Sequence, residues 1–170
     1  MSGSSLSRLI YKRRSVRQFL KRPIKKSTLE SILDAGRWAP SGLNNQPWRF
    51  VVVRNPSIKK EIARCTTYAF TIQRSDCVIL VYLDKRHSYH FLKDAQAIGA
   101  CIQNMLLRAF ELRIGSCWMG EILNKKTNVN AQLGIGSRYE LMAAIALGYP
   151  RKTPSSKRIA LKRLILKEYQ

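Results

Sequence analysis

Apolar residues recur along this chain with two periods, and the period changes wherever Pro and Gly intervene. Leu6, Leu9 and Ile10 fall at helical spacing and predict a short helix before the basic run Arg13–Arg17 (RRSVR). After Pro23, Ser27-x-x-Glu30 reads as a capping box, and Leu29, Ile32 and Leu33 form one apolar face of a helix ending near Arg37. Trp48–Arg54 reads as a buried strand. Asn55-Pro56 then starts a helix with a cap and a proline at its first position, running to about Arg64. Thr66–Gln73 fits neither period. Cys77–Leu83 (CVILVYL) is short, β-branched and bounded by polar residues, as expected of a central strand. Lys93–Arg113 is the longest helical pattern. Its apolar positions, from Ala97, Ile98 and Cys101 to Ala109 and Phe110, cover more than one stripe, which suits a core or a subunit interface. Gly115 stops it, GSCWMGEI follows as a strand-like turn, Lys126–Leu133 is a short helix closed by Gly134, and Glu140–Leu147 is another buried strand.

Between the second helix and the first strand lies Ala39–Phe50 (APSGLNNQPWRF). Pro40 and Pro47 remove backbone donors and push their predecessors out of the α region, Gly42 permits positive φ, and Ser41, Asn44 and Asn45 favour turns. A polar loop tethered to rigid elements at both ends is a common place for binding groups, although for such a loop taken alone ordinary turn chemistry is the commoner explanation. The tail, Pro150–Gln170, has a Pro/Ser/Lys linker and then Ile159–Tyr169, whose irregular alternation suits a strand-like extension onto another sheet edge, including that of a second chain. Residues 1–5 are small and polar and read as frayed or as a tag remnant.

Length and composition fit one globular domain over residues 1–170. The cysteines, Cys65, Cys77, Cys101 and Cys117, make no C-x-x-C and read as reduced packing residues of a cytoplasmic protein. His87 and His90 sit close together without a thiol or carboxylate pattern, so no metal site is expected. The apolar runs are too short to cross a bilayer, and no membrane association is expected. Charge is the unusual total: 31 Lys and Arg against 10 Asp and Glu give +21. Nucleic acid, an anionic cofactor with anionic substrates, and a solubilising surface all fit that excess. No zinc-finger, RRM or basic-zipper pattern accompanies it, so no specific nucleic-acid partner is expected.

Three polar stretches invite chemistry: RRSVR, APSGLNNQP and SCWMGE. RRSVR offers three guanidinium forks and a hydroxyl, the donors a phosphate dianion needs, and it is equally what a solvated basic face looks like. There is no G-x-G-x-x-G, no Walker A and no nucleophile elbow.

In order and spacing, RRSVRQF, LDAGRWAPSGLNNQPWRFVVV, DAQAIGACIQNMLLRAFELRIGSCWMGEI and AIALGYP resemble the nitroreductase family of FMN-dependent oxidoreductases, from about Ser7 to Arg163. The resemblance implies an α+β, three-layer fold with a mixed, mainly antiparallel sheet flanked by helices. It implies a homodimer with FMN at the interface and a C-terminal segment extending to the partner subunit. It places Arg13, Arg14 and Ser15 at the ribityl phosphate and Arg17 at the pyrimidine edge. Pro40, Ser41, Gly42, Asn44 and Gln46 would come from the other chain, Met119, Gly120 and Glu121 would lie on the N5/O4 side, and Lys157 and Arg158 would finish the phosphate site. Met119 and Trp118 also fit as core residues, Glu121 as a surface carboxylate and Trp48 as packing, with Asp94 a helix cap and Gln103 on a helix surface. The activity implied is ping-pong hydride transfer from NAD(P)H through flavin N5 to a small electron-poor acceptor such as a nitroaromatic or quinone, with no catalytic side chain. A flavin-binding or redox-sensing protein on the same fold, or a basic nucleic-acid-binding module, are the rival readings.

Overall fold

The computed structural model describes residues 5–170. The expectation for the first residues therefore lies outside the described residues, except that Ser5 already begins a helix. In chain order the elements are α1 (Ser5–Lys12), α2 (Lys26–Arg37), β1 (Trp48–Val53), α3 (Pro56–Ala63), α4 (Ala69–Arg74), β2 (Cys77–Asp84), α5 (Phe91–Glu111), β3 (Gly115–Met119), α6 (Lys126–Leu133) and β4 (Tyr139–Gly148). The strands form one sheet in the order β1-β2-β4-β3, with every neighbouring pair antiparallel. The fold is α+β. Its parallel component, among the described residues, is the isolated bridge between Ser15 and Ser116.

β2 is buried along its whole length because helices cover both faces of the sheet. Its alternate residues divide accordingly. Ile79 and Val81 pack with α2 and α5 through Ile32, Cys101 and Met105. Val78, Leu80 and Tyr82 face α3, α4 and α6 through Ile62, Ile72 and Val129. The many-sided apolar pattern of α5 is explained by this middle position. Gly36 lets α2 approach it closely, since a Cβ there would lie 2.7 Å from Met105 Cγ. The four cysteines are buried and unpaired, and burial pushes the Cys77 and Cys101 thiols up to about 12.

Local chemistry sets the helix ends, not always at the expected residue. Asn55 caps α3 as expected, its Oδ1 accepting from Ser57 and Ile58 N–H at 2.9 and 3.2 Å. The Ser27/Glu30 capping box does not form: α2 starts earlier, with Lys25 at the cap position, and Glu30 pairs instead with Lys26. Gly115 does not stop α5 either, because it already belongs to β3. The stop is Arg113 at φ 60°, with Ile114 N–H donating to Ala109 and Arg113 N–H to Phe110, a Schellman ending built without glycine. The ambiguous stretch after Thr66 is α4. The tail from Arg151 onward is exposed and, apart from a short turn at Leu161–Arg163, irregular.

Candidate functional site

After α1 the chain runs extended and is stapled to the sheet. Val16 N–H donates to Ser116 O at 2.8 Å, Leu20 N–H to Tyr149 O at 2.9 Å, and Arg151 N–H to Gln18 O at 3.0 Å. Val16 fits because Gly115 has no Cβ, which would lie 3.0 Å from it. These bonds bring Pro154–Arg158 back over Arg13–Arg17 and leave a cavity of about 230 Å³ between them. Its walls are Arg13, Arg14, Ser15, Arg17, Ser156 and Arg158, with Pro154 and Ser155, and they include no carboxylate. Arg14 Nη1 is held by Tyr11 O and Arg13 O, both at 2.7 Å, and Arg158 Nη1 by Ser156 Oγ at 2.9 Å. Arg13 Nε is buried with no hydrogen-bond partner among the described residues. Burial, then repulsion from Arg158 and Arg14, holds its pKa below the usual guanidinium value. An orphaned donor and repelling cations around a void fit a phosphate, whose oxygens would satisfy both. Lys157 is exposed and does not line this cavity, so of the late basic pair only Arg158 is gathered in.

The SCWMGE stretch joins the same region through residues the sequence left ambiguous. Met119 is buried, Trp118 is 42% exposed, and Gly120 is exposed. The Glu121 carboxylate accepts from the Thr66 hydroxyl and, at 3.0 Å, from Thr67 N–H; the hydroxyl foremost holds its pKa below the ordinary carboxylate value. Thr66 Oγ1 accepts in turn from Tyr68 N–H at 3.2 Å, and Arg17 lies over the Tyr68 ring at 5.9 Å. The Glu121 side chain thus fixes the turn that carries Tyr68. Stability from this carboxylate is present above its ordinary 4.5 and lost as pH falls through the lower folded value. Thr66→Val is expected to flatten the fall of Tm below pH 4.5 and Thr66→Ser to restore it; thermal melts against pH check this, and parallel acid limbs would refute it.

The Pro40 loop is built differently. Leu43, Asn44 and Gln46 have φ of 53°, 52° and 45°, a strained path fixed by its surroundings. Ser41 Oγ accepts from Gln46 N–H at 3.1 Å, and Asn45 Nδ2 donates to Asp94 Oδ1 and His87 O, each at 2.7 Å. Asp94 is not the cap of α5, whose cap position is His90; it is fully buried in the first turn and accepts from Ser88 Oγ and from Tyr89 and His90 N–H of the incoming loop. Burial works to raise its pKa, but these bonds outweigh it and keep it low. Tyr89 packs against Gly42, where a Cβ would lie 2.0 Å from Tyr89 Oη, so a larger residue there would have to displace that ring. Pro40 and Asn44 stay exposed. Trp48 is buried packing and Gln103 is half-buried on α5.

The loop sits at the start of α5 and RRSVR beyond its end. A helix of 21 residues separates them by about 30 Å. Within one chain, then, the early arginines, the SCWMGE turn and Arg158 come together, and the Pro40 loop does not join them. Sequence reasoning missed Thr66, Tyr68, Ser155 and Ser156. The two serines stand beside Lys157-Arg158, and hydroxyls next to basic residues were an available signal.

Helices over both faces of this antiparallel sheet, with an arginine-walled cavity at one end, define an α+β class of protein. The Nitroreductase family model matches residues 10–70 and 58–149, and the chain belongs to that family. It is 34% identical over 148 residues to a provisionally named NADH dehydrogenase/NAD(P)H nitroreductase of Archaeoglobus fulgidus, covering 85% of this chain and 84% of the relative. It is 27% identical over 188 residues to an NADH dehydrogenase of Thermus thermophilus, covering 91% and 92%. A provisionally named nitroreductase of Desulfovibrio desulfuricans, crystallised with FMN, superposes with a TM-score of 0.96 at 38% identity over 99% of both chains. Among the described residues no helix is long and apolar enough to cross a membrane, and no cluster of three or more His, Cys, Asp or Glu could hold a metal.

Proposed function

We propose that this chain is an FMN-dependent NAD(P)H oxidoreductase, cytoplasmic and single-domain, that reduces small electron-poor acceptors such as nitroaromatics or quinones in a ping-pong cycle. The observation that carries this reading is the cavity whose buried Arg13 Nε has no partner. Arg13, Arg14, Ser15 and Arg158 would hold the phosphate, with Ser156 orienting Arg158. When bound, FMN supplies the N5 position that accepts hydride from NAD(P)H and passes it on. Arg17, propped on Tyr68, would set a positive charge at the pyrimidine edge where reduction places negative charge. Met119 and Gly120 would border the reacting edge, and the excess of cations would favour phosphate-bearing donors by steering.

The working unit we propose is a homodimer. One flavin cannot touch both ends of α5, so Pro40, Ser41, Gly42, Asn44 and Gln46 would serve the partner's flavin. Exposed Trp38, Leu43, Phe91 and Leu92 near that loop, with Leu164 and Ile165 in the tail, are apolar surface that a partner would bury. The tail would extend across it.

Three measurements test this. The protein as isolated is expected to be yellow, with a flavin spectrum. Anaerobic NADH or NADPH is expected to bleach it, and a quinone to restore the colour. Bleaching without restoration would leave a flavin binder, and a colourless protein that cannot be loaded with FMN would refute the reading. Arg17→Ala is expected to lower the flavin potential, or weaken FMN retention, more than Lys60→Ala, which removes an exposed cation of α3; equal effects would remove Arg17 from the site.

A further inference from the structure

We propose a second anion site, in a groove of about 350 Å³ that shares no residue with the arginine-walled cavity, and that it takes a compact, multiply charged phosphate such as a di- or triphosphate chain. The groove lies where the segment after Leu20, the end of β1, α3 and the end of α4 meet. It gathers Lys21, Arg22, Arg54, Lys59 and Arg74 around a single carboxylate, Asp76.

That carboxylate is already engaged by the fold. Its Oδ2 accepts from Ile24 N–H at 3.1 Å and lies 3.6 Å from Arg54 Nη1, while Arg54 Nη2 donates to Ile24 O at 2.8 Å. Lys59 forms the floor and is 7% exposed. Its ammonium donates to Ser75 O at 2.5 Å and to Asp76 O at 3.3 Å. An ammonium carries three donors, and among the described residues the third finds no acceptor. Burial holds its pKa below the usual lysine value against the opposing pull of Asp76. A buried ammonium with a spare donor is what an anion entering the groove would complete.

The rim is arranged for the same ligand. Arg22 stacks on the Tyr149 ring at 4.0 Å and Arg74 on Phe70 at 5.1 Å. Stacking occupies the face of a guanidinium and leaves its N–H edges free for in-plane oxygen acceptors. Lys21 adds an exposed charge. These cations converge on one pocket instead of lining a track, which suits clustered phosphates better than the spaced charges of a nucleic-acid strand.

The test uses the FMN-saturated protein, so that the flavin cavity is filled, at constant ionic strength. Calorimetry with tripolyphosphate is expected to give saturable binding, one per protomer. Lys21→Glu/Arg74→Glu is expected to weaken it about tenfold or more while FMN content and NAD(P)H turnover stay unchanged. Lys59→Met is expected to weaken it too, with the double variant deciding the matter if Lys59→Met does not fold. Equal affinity in the double variant would overturn the proposal, as would equal binding of sulfate. Tighter, variant-sensitive binding of a single-stranded oligonucleotide would overturn it in favour of a nucleic-acid face. Because turnover is read in the same samples, failure of the groove is distinguishable from failure of the flavin reading.

Discussion

Arg13→Ala is expected to raise the Kd for FMN about 100-fold, the equivalent of losing about 3 kcal/mol of charge-assisted hydrogen bonding in a partly desolvated site. Arg13 is expected to be the dominant phosphate ligand because it carries the buried donor with no partner, while Arg14 and Arg158 each have one Nη engaged and their other N–H groups left over. Arg14 has backbone carbonyls at 2.7 Å and Arg158 has Ser156, whereas Arg13 Nε has nothing. Arg13→Lys keeps the charge and loses the fork, so an intermediate Kd is expected. The flavin-free protein is expected to behave oppositely. A half-buried, repelled cation is removed from it, so its Tm does not fall. Quenching of flavin fluorescence on titrating the apoprotein gives the Kd, and melts with and without FMN give the stabilities. If alanine lowered the apoprotein Tm and left FMN affinity intact, Arg13 would be a structural residue and the cavity would lose its assignment.

The second large effect is expected far from the phosphate cavity, at Asp84. This fully buried carboxylate ends β2 and accepts from Arg138 Nε and Nη2 at 2.7 and 2.6 Å, from Arg86 N–H at 3.2 Å and from His87 Nδ1 at 2.9 Å, with Arg49 Nη2 at 3.1 Å. The Arg138 bonds outweigh burial and hold its pKa far below the usual carboxylate range. Asp84→Asn leaves those cations facing a neutral amide. Their outer edges remain hydrated, so the cost falls at the low end for a broken buried pair, about 3 kcal/mol. For a chain of this size that lowers Tm by about 6–12 °C. The folded pKa is depressed, so this stability is present above the ordinary value of 3.8 and drains away as pH falls below it. The variant is expected to lack that acid-limb loss. A Tm within 2 °C of wild type at pH 7, by calorimetry, would show that the cluster carries no net stability (about 1 kcal/mol or less).

How much of this was legible in the chain varies with the range of the interaction. Short-range rules worked at Asn55-Pro56, at Gly134 with φ 63°, and along the β-branched run of β2, because a cap, a left-handed residue and a strand between two helical layers are each set by a few neighbours. They failed at Ser27, where the helix begins before the expected cap, and at Gly115, where Arg113 accepts the left-handed conformation because Ile114 must turn into the core. Thr66–Tyr68 had no readable period because its order comes from Glu121, 55 residues later.

From the residues alone, most helices and strands and their amphipathic faces could be read, α4 and two helix ends excepted, together with three polar stretches, one of them rich in phosphate-type donors. Only the tertiary structure decided which of those stretches meet. Leu20, Gln18 and Val16 hydrogen-bond to Tyr149, Arg151 and Ser116, which folds Arg158 onto Arg13, while the length of α5 holds the Pro40 loop away from both. The physical reason is that donor chemistry is a property of each residue. Convergence depends on backbone hydrogen bonds between segments 100 or more residues apart, which no local pattern encodes.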